Sequence, residues 1–237
     1  MALHHLLPAL VASGLILFAT ATPDWSFSVP QGALEFAERV RNGSISKVDI
    51  KPGPGFPSLE SLGFTAHDLI LSTSAKAKAA KEVAAREIGS TQGSTLLGEN
   101  KRSLEKRSEC TVPQPGGAMP HPDGTWACYL YLLNLGTTAC AAPPPPDLAT
   151  MCTGTVFHGD HRHEVVIHGQ GACGGPASSY CGHVAQAVNA IIGSCTRCDN
   201  WPVGPGTAQE YYCGAWGLDY AYGNGCLRVH VRRGFSG

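Results

Sequence analysis

The chain has 237 residues, 17 Lys+Arg against 18 Asp+Glu, and 15% charged residues. A formal net charge of -1 leaves no electrostatic footprint for nucleic acid or an anionic membrane surface, so neither is expected as a partner. All ten cysteines lie at or beyond position 110 and residues 108–237 hold no lysine, which divides the chain into two chemically different parts.

Leu6 to Ala19 is an apolar run of signal-peptide length, followed by the small-x-small pattern Ala19-Thr20-Ala21, and residues 1–21 are read as a signal peptide. That run is short for a bilayer and no other stretch approaches membrane length, so no transmembrane segment is expected. Residues 22–107 are read as a propeptide, largely disordered. They include Pro52-Gly53-Pro54-Gly55, a Lys/Ala/Glu-rich stretch from Ala75 to Ile88 whose apolar content is mostly alanine, and the Gly/Ser-rich Gly89–Gly98. Asn42-Gly43-Ser44 is a glycosylation sequon within this propeptide. The segment ends in Lys101-Arg102-Ser103 and Lys106-Arg107-Ser108, two dibasic pairs in a polar context that a processing protease can take as extended substrate. They resemble the kexin-type maturation sites of fungal secreted precursors.

Residues 108–237 are the expected mature domain. Its cysteines, Cys110, Cys128, Cys140, Cys152, Cys173, Cys181, Cys195, Cys198, Cys213 and Cys226, are even in number, which calls for an oxidising compartment, five disulfides and an extracellular product. Connectivity stays open at this point, with two geometric restrictions described below. Trp126 to Leu135, rich in aromatic and aliphatic residues, is predicted as a strand, and Pro143 to Pro146 as a stiff polyproline connector. His163 to His168 is predicted as a second strand, with Val165 and Ile167 on one face.

A helix is predicted from an N-cap at Ser178 or Ser179 to about Ser194, with Val184, Ala187, Val188, Ile191, Ile192 and Cys195 at helical spacing. Cys181 and Cys195 share its face but stand about 21 Å apart along the axis, so each must bond elsewhere. Asn224-Gly225 predicts a two-residue hairpin turn with Tyr222 opposite Leu227, Tyr220 opposite Val229 and Leu218 opposite Val231, lying under the helix. That register disfavours a Cys213–Cys226 bond. It also sets Asp219 opposite His230. The fold class that follows is α+β: a disulfide-rich antiparallel sheet with one main helix packed on one face, an α/β-sandwich.

Chemistry is sparsely written. His158, Asp160, His161 and His163, with His168 beyond, form the best metal candidate, because His161 and His163 project from one strand face with Asp160 or His158 in the adjoining loop. The paired zinc-ligand spacings are missing, and polar side chains protecting a sheet edge account for the same residues. Cys195-Thr196-Arg197-Cys198 sits at a helix C-terminus, the wrong end for a redox thiolate, and reads as structural. A nucleophile elbow is absent, and the acids are not forced into a catalytic pair, so no catalytic residue and no cofactor is assigned.

Tyr180-Cys181-Gly182-His183-Val184-Ala185-Gln186-Ala187, Ile191-Ile192-Gly193-Ser194-Cys195 and Tyr222-Gly223-Asn224-Gly225 leading into Leu227-Arg228-Val229, together with the propeptide ending in Lys106-Arg107, resemble fungal small secreted cysteine-rich effector and killer-toxin-like proteins. The resemblance implies a secreted, non-enzymatic protein acting outside the cell or on a host, competitor or cell-wall target, with a processing protease as its other partner. The competing expectation is a secreted hydrolase or metal-dependent enzyme using the His158–His168 cluster.

Overall fold

Alternation of buried and half-buried side chains from Val165 to Gly169 marks a central strand, and most of the remaining elements are arranged around it. The computed structural model describes residues 29–76, 79, 108–111, 120–202 and 209–234. In chain order these form α1 (Gln31–Arg41), β1 (Lys47–Pro52), α2 (described over 66–76), β2 (Glu109–Cys110), α3 (Pro122–Leu135), β3 (Ala139–Ala142), β4 (Ala149–His158) and β5 (His161–Gly171). They are followed by β6 (Ala177–Tyr180), α4 (Cys181–Cys195), β7 (Thr196–Pro202), β8 (Gln209–Ala215), β9 (Gly217–Tyr220) and β10 (Leu227–Arg233).

The main sheet has six strands in the order β1-β4-β5-β10-β9-β2, every pair antiparallel. Helices α3 and α4 lie side by side on one of its faces, so the expected α+β class holds, with two helices on that face rather than one. Two further two-stranded sheets, β3-β6 and β7-β8, complete the described part. Among the described residues no helix is long and apolar enough to cross a membrane.

Residues 31–76 depart most from expectation, since a large part of the supposedly disordered segment is folded. β1 forms one edge of the sheet, with Val48 opposite Val156 and Ile50 opposite Gly154. Phe36 of α1 and Leu69 and Ile70 of α2 are completely buried in the common core. The segment carries large apolar residues, among them Phe36, Val40, Ile50, Leu69 and Ile70, and a ready-made sheet edge and the back of α3 supply their partners. The expected signal peptide and both dibasic pairs lie outside the described residues. Asn42 is exposed just after α1, where its Oδ1 accepts from Ser44 N at 3.0 Å.

The predicted strand over Trp126–Leu135 is instead the C-terminal two thirds of α3. Its side chains from Trp126 to Leu132 are all buried, because the sheet lies below, α4 beside and α1 above. A helix wrapped on all sides has no polar stripe, and its continuous apolar run reads as a buried strand. The signals of its start were present at Pro122, in the first helical position, and at Asp123 in the first turn.

Helix α4 was expected within a residue or two of its bounds, but neither serine caps it. Tyr180 is the N-cap with no side-chain bond, and the backbone carbonyls of Thr138 and Gly136 accept from Cys181 N and Gly182 N, each at 2.9 Å. Ser179 Oγ donates to Tyr222 O at 2.9 Å instead. Pro143–Pro146 does not run on as an extended connector: Asp147 N donates back to Pro144 O at 3.2 Å, closing a turn.

The terminal hairpin is present under α4, shifted by one residue from the predicted register. Tyr220 faces Arg228, Asp219 faces Val229 and Leu218 faces His230, around a five-residue loop from Tyr222 to Cys226. The helix decides this. A Cβ on Gly217 would come 2.9 Å from Cys195 Sγ and 3.3 Å from Ile191 Cγ2, so the strand turns its small residues, Gly217, Asp219 and Ala221, toward α4, while Leu218 and Tyr220 point away. Asp219 and His230 are therefore on opposite faces and form no pair.

All ten cysteines are bonded: Cys110–Cys195, Cys128–Cys152, Cys140–Cys181, Cys173–Cys226 and Cys198–Cys213. Both ends of α4 are stapled to separate strands, as its length demanded. The two cysteines of Cys195-Thr196-Arg197-Cys198 bond to different partners, so this is no redox pair.

Candidate functional site

The N-terminal turn of α3 approaches the sheet unusually closely, and two glycines make that possible. A Cβ on Gly124 would stand 3.0 Å from both Gly154 O and Val165 Cγ2, and one on Gly154 would collide with Gly124 O. The bare backbone contact brings His121, the N-cap of α3, and Asp123 onto the end of the β4-β5 hairpin. There the inward-facing residues are His158, at the end of β4, and His163, which pairs with Val156 across the ladder.

His121, Asp123 and His158 each offer a ligand atom, and the three atoms lie within 4.8 Å of one another. Asp123 Oδ2 is 3.1 Å from His158 Nε2 and 3.8 Å from His121 Nδ1. The two atoms of the 3.1 Å contact are buried and have no other hydrogen-bond partner. The other carboxylate oxygen, Oδ1, accepts from Arg39 Nη2, a residue of α1. His121 Nδ1 accepts from Asp123 N at 3.3 Å. The His163 ring stacks 4.6 Å from His121 and 5.5 Å from His158, measured between centroids.

Charge in the cluster follows from burial and neighbours. Burial is the largest influence on His121 and pushes its pKa down to about 3, against the pull of Asp123, so the ring is neutral at ordinary pH. Burial alone would raise Asp123, but His158, His121 and Arg39 outweigh it and hold the carboxyl below its ordinary value. A fully buried carboxylate beside a neutral imidazole is the donor set that borderline divalent cations prefer.

Of the four metal candidates read from sequence, His158 and His163 converge. Asp160 sits exposed in the Gly159-Asp160 turn, and His161, exposed at the first position of β5, is opposite His158 on the ladder; neither is among the three residues whose ligand atoms meet. His121 and Asp123 were missed, because they meet the hairpin through a helix that was read as a strand. His168 lies farther along β5, with Nδ1 3.3 Å from Thr150 Oγ1, on the face away from α3. The chain matches no protein-family model, no curated protein and no solved structure.

Proposed function

We propose that the chain is the precursor of a secreted, non-enzymatic effector or toxin-like protein that is cut at its dibasic pairs and acts outside the cell, or on a host or competitor, as two non-covalently joined parts. The observation that carries the two-part reading is that a segment without cysteine, 31–76, supplies an edge strand and core residues to a body stapled by five disulfides. Five disulfides suit an oxidising, extracellular setting.

The position of the cuts supports it further. The chain leaves β1 at one edge of the six-stranded sheet and re-enters as β2 at the other, a span of about 24 Å at ordinary strand spacing. Lys101-Arg102 and Lys106-Arg107 fall in this crossover. Cleavage there severs the connection between two edges and leaves both edge strands in their ladders.

Secreted protein purified with both parts present, then applied to intact cells of competitor fungi and to host tissue, is expected to reduce viability or provoke a response. The same preparation is expected to be inert toward ester, peptide and glycoside substrates. Metal-dependent turnover of any of these without an effect on cells overturns the effector reading and supports the enzyme.

A further inference from the structure

We propose that His121, Asp123 and His158 form a binding site for one divalent transition-metal ion of the zinc class, with the His163 ring packed against both histidines. The geometry argues for an ion rather than a plain ion pair. Asp123 is completely buried, and its Oδ2 and His158 Nε2 face each other across 3.1 Å with no other partner, so that a cation between them would take a lone pair from each. Ligand bonds of about 2.0 to 2.1 Å in a tetrahedron separate donor atoms by roughly 3.3 Å. The 3.1 Å between Asp123 Oδ2 and His158 Nε2 is close to that edge, and His121 Nδ1, 3.8 Å from Oδ2, would give up its cap bond from Asp123 N to bind the ion.

The donor chemistry narrows the ion. Two imidazoles and one carboxylate favour zinc and its first-row neighbours over calcium or magnesium, which take oxygen ligands. Arg39 on Asp123 Oδ1 is the outer partner that orients the carboxylate and leaves Oδ2 aimed at the histidines. It comes from α1, so the site joins three elements: the leading segment through Arg39, the start of α3, and the β4-β5 hairpin. A bound ion would clamp α3 to the hairpin where the two glycines let them touch. Nothing in this proposal depends on whether the protein is an effector.

The full secreted protein, stripped with chelator and titrated with Zn²⁺, is expected to take up one equivalent, and Co²⁺ in its place to give the absorption of a tetrahedral site. His158→Gln is expected to weaken zinc binding by at least about 100-fold, and Arg39→Gln by about 10-fold as an outer partner. His161→Gln, which alters an exposed histidine beside the site, is expected to leave affinity within about twofold. Zinc should raise the melting temperature of the unaltered protein and of His161→Gln but not of His158→Gln. If His158→Gln fails to fold, histidine ring resonances of the unaltered protein decide, because His121 and His158 should shift with one equivalent of Zn²⁺. No uptake after chelator removal, equal affinity in His158→Gln, or loss of binding in His161→Gln overturns the proposal.

Discussion

Residues 31–76 contain no cysteine and join the molecule through the β1 ladder, the Arg39–Asp123 ion pair and the burial of Phe36, Leu69 and Ile70, whereas residues 109–233 are crossed by five disulfides. The two regions share one core. A disulfide survives dilution and denaturant; a strand edge and an apolar face persist only while the fold does. The leading segment is thus the part of this single structure that no disulfide holds.

The largest effect is expected from breaking that attachment. Phe36→Ala removes a fully buried ring and should cost about 3 to 5 kcal/mol, a large share of the stability of any domain this size. Urea unfolding of the processed protein should then show the leading segment dissociating before the stapled body loses its near-ultraviolet circular dichroism.

The disulfides themselves sharpen the contrast. Cys128–Cys152 ties α3 to β4 inside the core, and replacing both with Ala should cost about 2 to 5 kcal/mol in global stability. Cys198–Cys213 ties β7 to β8, a ribbon that pairs with itself alone among the described strands. Its loss should open the ribbon locally, seen as faster amide exchange from residues 196 to 201, and shift the global midpoint by about 1 kcal/mol or less.

A pH test separates the body from the segment. His230 is buried on β10, and burial, followed by Arg232, Arg228 and His168, pushes its pKa down to about 4. Its folded value lies below the unfolded 6.5, so the unfolded state takes up the proton first. Its stabilising effect is therefore complete above about pH 6.5 and declines as pH falls to about 4, by up to about 3 kcal/mol. Urea melts at pH 7 and pH 4 should differ by less in His230→Gln than in the unaltered protein; an identical difference contradicts the assignment.

Processing should leave a smaller trace. Ser108 Oγ donates to the buried Asp219 Oδ2 at 3.0 Å, and a cut after Arg107 would place a new ammonium on that same residue. Asp219→Asn should then destabilise the cleaved form more than the uncut precursor, by about 1 to 2 kcal/mol in paired urea melts. Equal losses in both forms would place the new terminus away from Asp219.

How far these features were legible depends on whether a residue's partners are local. Helix α4 and strand β5 show their periods because each keeps one solvent-leaning side. Helix α3, enclosed on every side, shows none, and losing it concealed His121 and Asp123. The hairpin was visible in its turn residues, but its register was chosen by the Cys195 and Ile191 side chains packed on Gly217, which no strand pattern contains. His158 and His163 were found because both lie on one hairpin. Their neighbours Asp160 and His161 looked equivalent in sequence; the first falls in the turn, and the second, opposite His158, is exposed. The leading segment is read as disordered from its Pro/Gly, Lys/Ala/Glu and Gly/Ser stretches, while the partners of its large apolar residues lie far along the chain; Tyr131 Oη donating to Pro57 O at 2.8 Å spans a separation of 74.

The central claim, that the leading segment remains docked after processing, is tested most directly by native mass spectrometry of the secreted protein, followed by the same measurement in denaturant without reductant. One native species should resolve in denaturant into a cysteine-free chain that contains residues 31–76 and a disulfide-bonded chain beginning at Ser103 or Ser108. A folded, monomeric native species consisting of the cysteine-bearing chain alone would contradict it.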